Sequence, residues 1–243
     1  MTISDRDETV RLVRAAPMMA RRTKATFYVV AGPLMRLNAG RHRLFSMERG
    51  GVIRAHLGPG KAKYLDGWVN VDANAFTARC DIWADLRNPL PFRDNAVDAF
   101  YSHHVIEHLP NLQLHFDELY RCLKPGGVFR IGGPNGDSAI QKFISGDAGW
   151  FSDYPDKRTS IGGRFENFIF CRQEHLTILT LSYLKELAGR SGFRDLAQRR
   201  PIEETGFPDV FDKIVLDTES ETTPEFPHTL IVEGRKPNRE DAE

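Results

Sequence analysis

Short apolar runs alternate with amphipathic segments from residue 51 onward, which is typical of an α/β domain built on a parallel sheet. Seven runs predict strands: Val52–Leu57, Val69–Asp72, Cys80–Ala84, Ala96–Ser102, Val128–Gly132, Leu196–Arg200 and His228–Glu233. Charged residues follow the last run, so we expect it to close the sheet as an antiparallel edge strand. The pattern predicts a doubly wound, mostly parallel sheet.

Two segments show the three- and four-residue apolar spacing of helices. In Val105–Leu123, leucine or phenylalanine recurs at positions 109, 112, 116, 119 and 123, before the terminating Pro125 and Gly126. The second helix is predicted over Gln173–Ser191. Residues 138–172 are rich in glycine and aromatic residues, and so long an irregular insert is usually functional. We expect this insert to form a lid on a domain of residues 51–243.

Residues 1–50 predict a separate basic extension, since they carry ten Lys or Arg residues against four Asp or Glu. Pro17 and Pro33 break this extension into short amphipathic pieces. We expect a helical extension that packs on the domain or on a second copy in a homodimer, with contact to a membrane surface or a polyanion as the alternative. The whole chain has no net charge, so DNA is not an expected partner.

The three cysteines are far apart and include no CxxC pair, which argues against a disulfide framework and a zinc knuckle. We therefore expect a reduced, cytoplasmic setting. The polar first residues do not resemble a secretory signal. The longest apolar stretch, Ala25–Met35, is too short to cross a bilayer, so no membrane span is expected.

A glycine turn, Gly58-Pro59-Gly60, follows the first predicted strand, and Asp72 closes the second. Glycines let the backbone approach a ligand, and a carboxylate at the next strand's end can accept both hydroxyls of a ribose. Dinucleotide sites have a third glycine at the start of the following helix, which is missing here. Asp72 also follows the glycines at a shorter distance than the acid of such sites. The turn could be merely structural, but its spacing favours a ribose without a pyrophosphate, as in S-adenosylmethionine.

The stretch from His56 to Asp137, about a third of the chain, resembles the class I S-adenosylmethionine-dependent methyltransferases. Several of its motifs occur in the same order as in that family. The branch it resembles is type 11, often found with glycan-assembly enzymes. The matching pieces are Leu57–Gly60, Gly67–Asp72, Asp85-Leu86 before Leu90–Phe92, Asp98–Leu109 and Glu118–Gly127. The resemblance implies a Rossmann-like methyltransferase fold with a seven-stranded sheet and an antiparallel last strand.

The resemblance also implies which residues bind the cofactor. They are Gly58, Pro59 and Gly60 against the methionine half, Asp72 with the neighbouring Ala73 at the ribose, Asp85 and Leu86 at the adenine, and Ser102 and His103 beside the sulfonium. Asp85 has an alternative interpretation as a helix cap or turn acid. Pro59 departs from the family, which often has a cysteine or another small residue there.

Histidines cluster where the family positions the transferable methyl group. Methyl transfer to an alcohol requires alignment of the acceptor and removal of its proton, and an imidazole suits the role of general base. His104 is the preferred base because it combines the right loop with an expected inward face. His108 and His103 are the further candidates.

The residues His104, Glu107 and His108 would share one face of a helix that begins by residue 104. Their HxxEH pattern is similar to the ExxEH metal motif of ubiquinone-pathway and small-RNA 2′-O-methyltransferases. A divalent ion such as Mg²⁺ bound there would lower the pKa of the acceptor hydroxyl. The alternative is that the Glu-His pair only braces the helix.

The candidate substrate-binding residues are Asp137, Trp150 and Tyr154. Asp137 could equally be a turn residue. Aromatic faces and polar groups in the insert suit a carbohydrate, so the predicted reaction is O-methylation of a sugar or oligosaccharide, one candidate being a mannoside in polysaccharide biosynthesis. Alternatives are another small metabolite methylated at oxygen or nitrogen, and a noncatalytic cofactor-binding subunit of a glycan-assembly complex. RNA is less favoured because the basic surplus is modest.

Overall fold

The computed structural model describes residues 21–45, 51–74, 78–221, 223 and 225–238. The chain divides into two compact units, residues 1–34 and residues 35–243. The described part of the first unit is helical and belongs to helix α1, Arg21–Phe45, whose remaining residues belong to the second unit. Half of the predicted extension, residues 1–20 and 46–50, lies outside the described residues. Helix α1 continues through Pro33, so the predicted break at this residue is wrong. Within the described ranges, no helix has the length and apolar character needed to cross a membrane.

The second unit contains one seven-stranded sheet with the strand order β3-β2-β1-β4-β5-β7-β6. The strands are β1 Arg54–Leu57, β2 Val69–Asp72, β3 Ile82–Trp83, β4 Val97–His103, β5 Leu123–Pro134, β6 Arg194–Arg199 and β7 Thr229–Arg235. Strands β1 to β5 pair in parallel, while β7 is antiparallel to both β5 and β6. The predicted Rossmann-like, mostly parallel sheet is therefore confirmed.

The last strand is antiparallel as predicted, but the prediction that it forms an edge is wrong. Strand β7 lies between β5 and β6, and its first six residues are buried. Its Glu233 is fully buried and accepts a hydrogen bond of 2.7 Å from Arg130 of β5, which also pairs with the buried Glu219. The charge of Glu233 is thus neutralised inside the sheet. Strand β6, which is largely half-buried or exposed, takes the edge instead.

The α-helices of the second unit that follow α1 are α2 Leu112–Cys122, α3 Gly136–Ile144, α4 Ile161–Phe170, α5 Leu181–Ser191 and α6 Lys213–Leu216. In the part of the chain that the structure describes, short 3₁₀ turns cover Ile106–His108, Ala148–Trp150 and Cys171–Gln173. The buried apolar residues of α2 and α5 pack with those of the strands in one large core.

Helix α2 begins at Leu112, seven residues later than predicted from the apolar spacing. The side chain of Asn111 caps it by accepting a hydrogen bond of 3.0 Å from Leu114 N–H. The preceding Pro110 cannot donate a backbone hydrogen bond and disfavours a helical conformation just before it. The predicted helical face shared by His104, Glu107 and His108 is therefore wrong, because a 3₁₀ turn occupies this stretch.

The second predicted helix also begins later, at Leu181, where the Thr180 side chain caps it. The insert of residues 138–172 is not irregular, since it contains most of α3 and all of α4. Its aromatic residues form a small core of their own around Trp150 and Phe151. Burial of these rings, rather than exposure to a ligand, explains much of the aromatic content of the insert.

Besides His103 at the end of β4, two histidines of the second unit are buried. His115 of α2 is 4% exposed, and burial lowers its pKa to about 4, although the nearby Glu118 opposes this shift. His56 of β1 is 1% exposed, and burial lowers its pKa to about 4 as well, against a hydrogen bond with Asn70. Both side chains are therefore neutral in the folded protein at neutral pH.

We expect the free energy of unfolding to fall as the pH decreases from 6.5 toward 4. In this window the unfolded chain protonates these histidines while the folded chain does not, so acid favours unfolding by on the order of 2 kcal/mol per histidine at pH 5. Urea denaturation at pH 7 and pH 5 measures the change. His115→Met, which keeps the volume and removes the titrating group, should show a smaller decrease than the unchanged protein. An equal decrease in both proteins would contradict this assignment.

Candidate active site

The glycine turn bends the chain sharply at the carboxyl end of β1. Gly58 and Gly60 have φ angles of +73° and +57°, which favour glycine. A Cβ atom on Gly58 would lie 2.3 Å from a methyl carbon of Val105, so packing also excludes a side chain there. A Cβ atom on Gly60 would meet no atom of the described residues within 4 Å. The turn, with Pro59 between the glycines, therefore presents open backbone on one side.

The carboxylate of Asp72 lies at the carboxyl end of β2 and connects to this turn. Its Oδ2 accepts a hydrogen bond of 3.0 Å from Gly60 N–H, and its Oδ1 accepts one of 2.8 Å from Asn74 N–H. The carbonyl of the neighbouring Ala73 accepts from the Trp83 indole. A carboxylate has about four acceptor positions, so half-buried Asp72 retains capacity for the two hydroxyls of a ribose.

The carboxylate of Asp85 is buried and already paired. It forms a bidentate ion pair with Arg87, in which Nη2 to Oδ2 measures 2.7 Å, and it also accepts from the Arg87 backbone N–H at 3.0 Å. This is the geometry of the alternative interpretation, a turn acid. Asp85 also lines a cavity of about 360 Å³ together with Met35 and Arg43 of α1. The side chain of Leu86 is buried in the large core.

Two buried polar atoms at the carboxyl end of β4 have no hydrogen-bond partner among the described residues. They are Ser102 Oγ and His103 Nε2. Unsatisfied buried polar atoms are rare in proteins and often mark a ligand site. In open α/β sheets, ligands bind beyond the carboxyl ends of the strands, which is where these atoms lie.

Lys63, which no sequence pattern indicates, lies with its Nζ 3.1 Å from His103 Nδ1. Burial, together with His104 and Lys63, lowers the pKa of His103 well below its ordinary value, so its ring is neutral and Nδ1 accepts the hydrogen bond. Burial lowers the pKa of Lys63 too. Because His103 is buried and holds this lysine, it is a poorer candidate for the base than His104.

His104 follows β4 in a left-handed conformation, with φ +57°, and its N–H donates to the Gly132 carbonyl at 2.8 Å. Its exposed ring places Nδ1 3.1 Å from Glu107 Oε1, while Nε2 lies 3.4 Å from Thr229 Oγ1. Burial alone would raise the pKa of Glu107, but the hydrogen bond and charge of His104 and the nearby His108 outweigh it and hold the pKa below its usual range. Glu107 is therefore an ionised partner for His104.

His108 lies on the other side of the same carboxylate. Its Nε2 is 3.9 Å from Glu107 Oε1, and its Nδ1 is 2.8 Å from the Glu174 carbonyl. The tertiary fold thus brings together the three residues predicted from the HxxEH pattern, although not on a helical face. It adds His175, whose ring centre is 5.1 Å from that of His108. His175 lies 67 residues further along the chain, and no local pattern indicates its role.

The candidate substrate-binding residues differ in exposure. Asp137 Oδ2 accepts a hydrogen bond of 2.7 Å from Leu181 N–H at the start of α5. Trp150 is buried, donates to the Phe226 carbonyl and stacks on His228 with the ring centres 4.1 Å apart. Tyr154, in contrast, is 45% exposed. Of the two predicted aromatic platforms, only Tyr154 presents an open ring.

Parts of this chain are similar to known methyltransferases. Residues 63–131 match the family Methyltransf_11, described as "Methyltransferase domain". A stretch of 42 residues, 17% of the chain, is 43% identical to the sterol 24-C-methyltransferase erg6 of Schizosaccharomyces pombe. A stretch of 53 residues, 22% of the chain, is 38% identical to the sterol 4-C-methyltransferase strm-1 of Caenorhabditis elegans. These stretches span only 11% and 16% of the length of those two proteins.

One solved structure similar to this chain is titled "Complex between the Haloferax volcanii Trm112 methyltransferase activator and the putative methyltransferase". The TM-score is 0.50 at 15% identity, and the alignment covers 87% of this chain and 96% of that one. At this identity the likeness concerns the fold. Residues 63–131 are thus similar to a methyltransferase domain, and the chain shares its fold with that solved structure.

Proposed function

We propose that this protein methylates a hydroxyl of a sugar or oligosaccharide with S-adenosylmethionine as the methyl donor, and that His104 is the general base. The observation that carries the proposal is the contact between His104 Nδ1 and Glu107 Oε1, 3.1 Å long, beside the loops at the carboxyl ends of β1 and β4. A base held by an ionised carboxylate at this edge of the sheet is what an alcohol methyltransferase needs.

The residues at this edge fit S-adenosylmethionine. The carboxylate of Asp72 would hold the ribose hydroxyls, while the open backbone at Gly60 would lie against the methionine half. The unpaired Ser102 Oγ and His103 Nε2 are available to polar groups of the donor, and Lys63 Nζ can meet its carboxylate. When bound, the donor supplies a methyl group activated by the positive sulfur.

Glu107 positions His104 for proton transfer. Its ionised carboxylate accepts a hydrogen bond from Nδ1–H, which leaves the lone pair on Nε2. An acceptor hydroxyl would replace Thr229 Oγ1, which lies 3.4 Å from Nε2, as the partner of this nitrogen. Nε2 would then take the proton of the hydroxyl as the new C–O bond forms and the C–S bond breaks. The negative charge of Glu107 stabilises the imidazolium that results, in the same way as a carboxylate supports the histidine of a hydrolase triad.

The acceptor is inferred from the insert over residues 138–172. Tyr154 offers an exposed aromatic face, and the nearby Arg164–Asp153 and Arg158–Asp156 pairs offer charged groups to hydroxyls. Aromatic rings with charged neighbours suit the apolar faces and hydroxyl edges of a sugar. The two sterol methyltransferase relatives align over short stretches only, so they carry no argument about the acceptor.

Incubation with S-adenosylmethionine labelled in its methyl group tests the proposal. We expect label in mannosides, glucosides or short oligosaccharides, detected after separation by chromatography. Parallel reactions contain small alcohols, amines and RNA. Label in these compounds alone would contradict the sugar acceptor. Cofactor binding by calorimetry without transfer to any acceptor would instead favour a noncatalytic cofactor-binding subunit.

A further inference from the structure

Two imidazoles and one buried carboxylate converge next to the proposed base. We propose that Glu107, His108 and His175 bind a divalent transition-metal ion such as Zn²⁺ or Mn²⁺. Each residue offers one ligand atom, and the three atoms lie within 4.8 Å of one another. The proposal of ion binding rests on the geometry of these side chains, whereas the chemical role given below rests also on the proposed function.

The two histidines present the correct nitrogen. His108 Nδ1 lies 2.8 Å from the Glu174 carbonyl, and His175 Nδ1 lies 3.0 Å from the Ile169 carbonyl. A carbonyl only accepts, so each Nδ1 carries a hydrogen and each neutral ring has its lone pair on Nε2. Backbone carbonyls commonly hold metal-binding histidines in this way, since they set the tautomer and the ring orientation before the ion binds.

The carboxylate is incompletely satisfied without a cation. Glu107 is 1% exposed, and its Oε2 has no hydrogen-bond partner among the described residues. A buried charge with an unpaired oxygen is unfavourable unless another charge compensates it. The imidazole of His104 already contacts Oε1, and His108 Nε2 approaches the same atom at 3.9 Å. An ion between Glu107 and the two Nε2 atoms would supply the compensating charge.

The ligand set selects among metals. Two imidazoles and one carboxylate favour Zn²⁺, Mn²⁺, Fe²⁺ or Co²⁺ over Mg²⁺, which prefers oxygen ligands. This set replaces His104, predicted from the HxxEH pattern, with the distant His175. His104 then remains free to act as the base through its contact with Glu107.

Three protein ligands leave coordination positions open. The side chain of His108 is 38% exposed, so an acceptor could approach the ion from that side. An acceptor hydroxyl on the ion would have a lower pKa, and its proton would pass to His104. The site would therefore make the alcohol oxygen a better nucleophile toward the methyl group of the donor.

Titration of the full chain with ions tests the site without any methyl transfer. The protein is first stripped with EDTA and dialysed, and Zn²⁺ and Mg²⁺ are then added in a calorimeter. We expect one Zn²⁺ per chain and much weaker binding of Mg²⁺. Co²⁺ should give visible absorption bands that a second addition of Zn²⁺ removes.

His175→Ala and Glu107→Gln should weaken Zn²⁺ binding by about 100-fold or more, whereas His42→Ala, a histidine outside the cluster, should not. Circular dichroism and donor binding show whether each variant is folded. Absence of Zn²⁺ binding, or unchanged binding in both variants, would overturn the site.

Full transfer activity of the EDTA-treated protein would overturn its chemical role. Failure of transfer under every condition would refute the proposed function, a result separate from the ion titration.

Discussion

His104→Asn should lower the rate of methyl transfer about 10²–10⁴-fold, the usual contribution of a general base, while the affinity for S-adenosylmethionine stays nearly constant. Asparagine tolerates the left-handed conformation that His104 adopts, so the backbone after β4 should keep its path. The variant removes the nitrogen that would receive the proton of the acceptor. Initial rates at saturating acceptor, together with calorimetric titration of the donor, separate a loss of catalysis from a loss of binding.

The matched control is His42→Asn, which makes the same chemical change on α1, away from the residues that follow β4. Its transfer rate should equal that of the unchanged protein. A His104→Asn protein with a full rate would show that another group accepts the proton. A fall in donor affinity equal to the fall in rate would show that His104 positions the cofactor instead of acting as base.

Asp72→Asn should weaken the binding of S-adenosylmethionine by on the order of 100-fold, because it replaces charge-assisted hydrogen bonds to the ribose with neutral ones. A second effect adds to this loss. One amide nitrogen of the new side chain would face either Gly60 N–H or Asn74 N–H, both of which are donors. The glycine turn would then lose one of its contacts with the end of β2.

Calorimetric titration with S-adenosylmethionine and with S-adenosylhomocysteine measures the change. The control, Asp66→Asn, lies in the same loop region, but its side chain is 93% exposed, so its affinity should match that of the unchanged protein. Urea denaturation shows whether the Asp72 variant remains folded. Undiminished affinity in a folded Asp72 variant would contradict the assignment of this carboxylate to the ribose.

The pattern of short apolar runs predicted the parallel core of the fold because that information is local. Strands β1, β2 and β4 contain buried runs bounded by turns, and each lies within or close to its predicted range. The relation between Gly60 and Asp72 is also local, since adjacent parallel strands bring their carboxyl ends together.

Helix limits were predicted less well because apolar spacing does not show where a helix stops. The leucines at positions 109 and 112 continue the helical period, but Pro110 and Asn111 interrupt it with stronger backbone effects. The side chains of His104 and His108 still meet that of Glu107. The left-handed conformation of His104 and the 3₁₀ turn that contains the other two residues bring them together.

The sequence by itself determined the α/β class, the glycine turn with its acid, and the concentration of histidines after β4. Only the tertiary structure decided that β7 lies inside the sheet, that Lys63 meets His103, and that His175 joins Glu107 and His108. The reason is physical. Propensity and periodicity act over a few neighbouring residues, whereas these three contacts join residues that are 40 or more positions apart or depend on which strands pair.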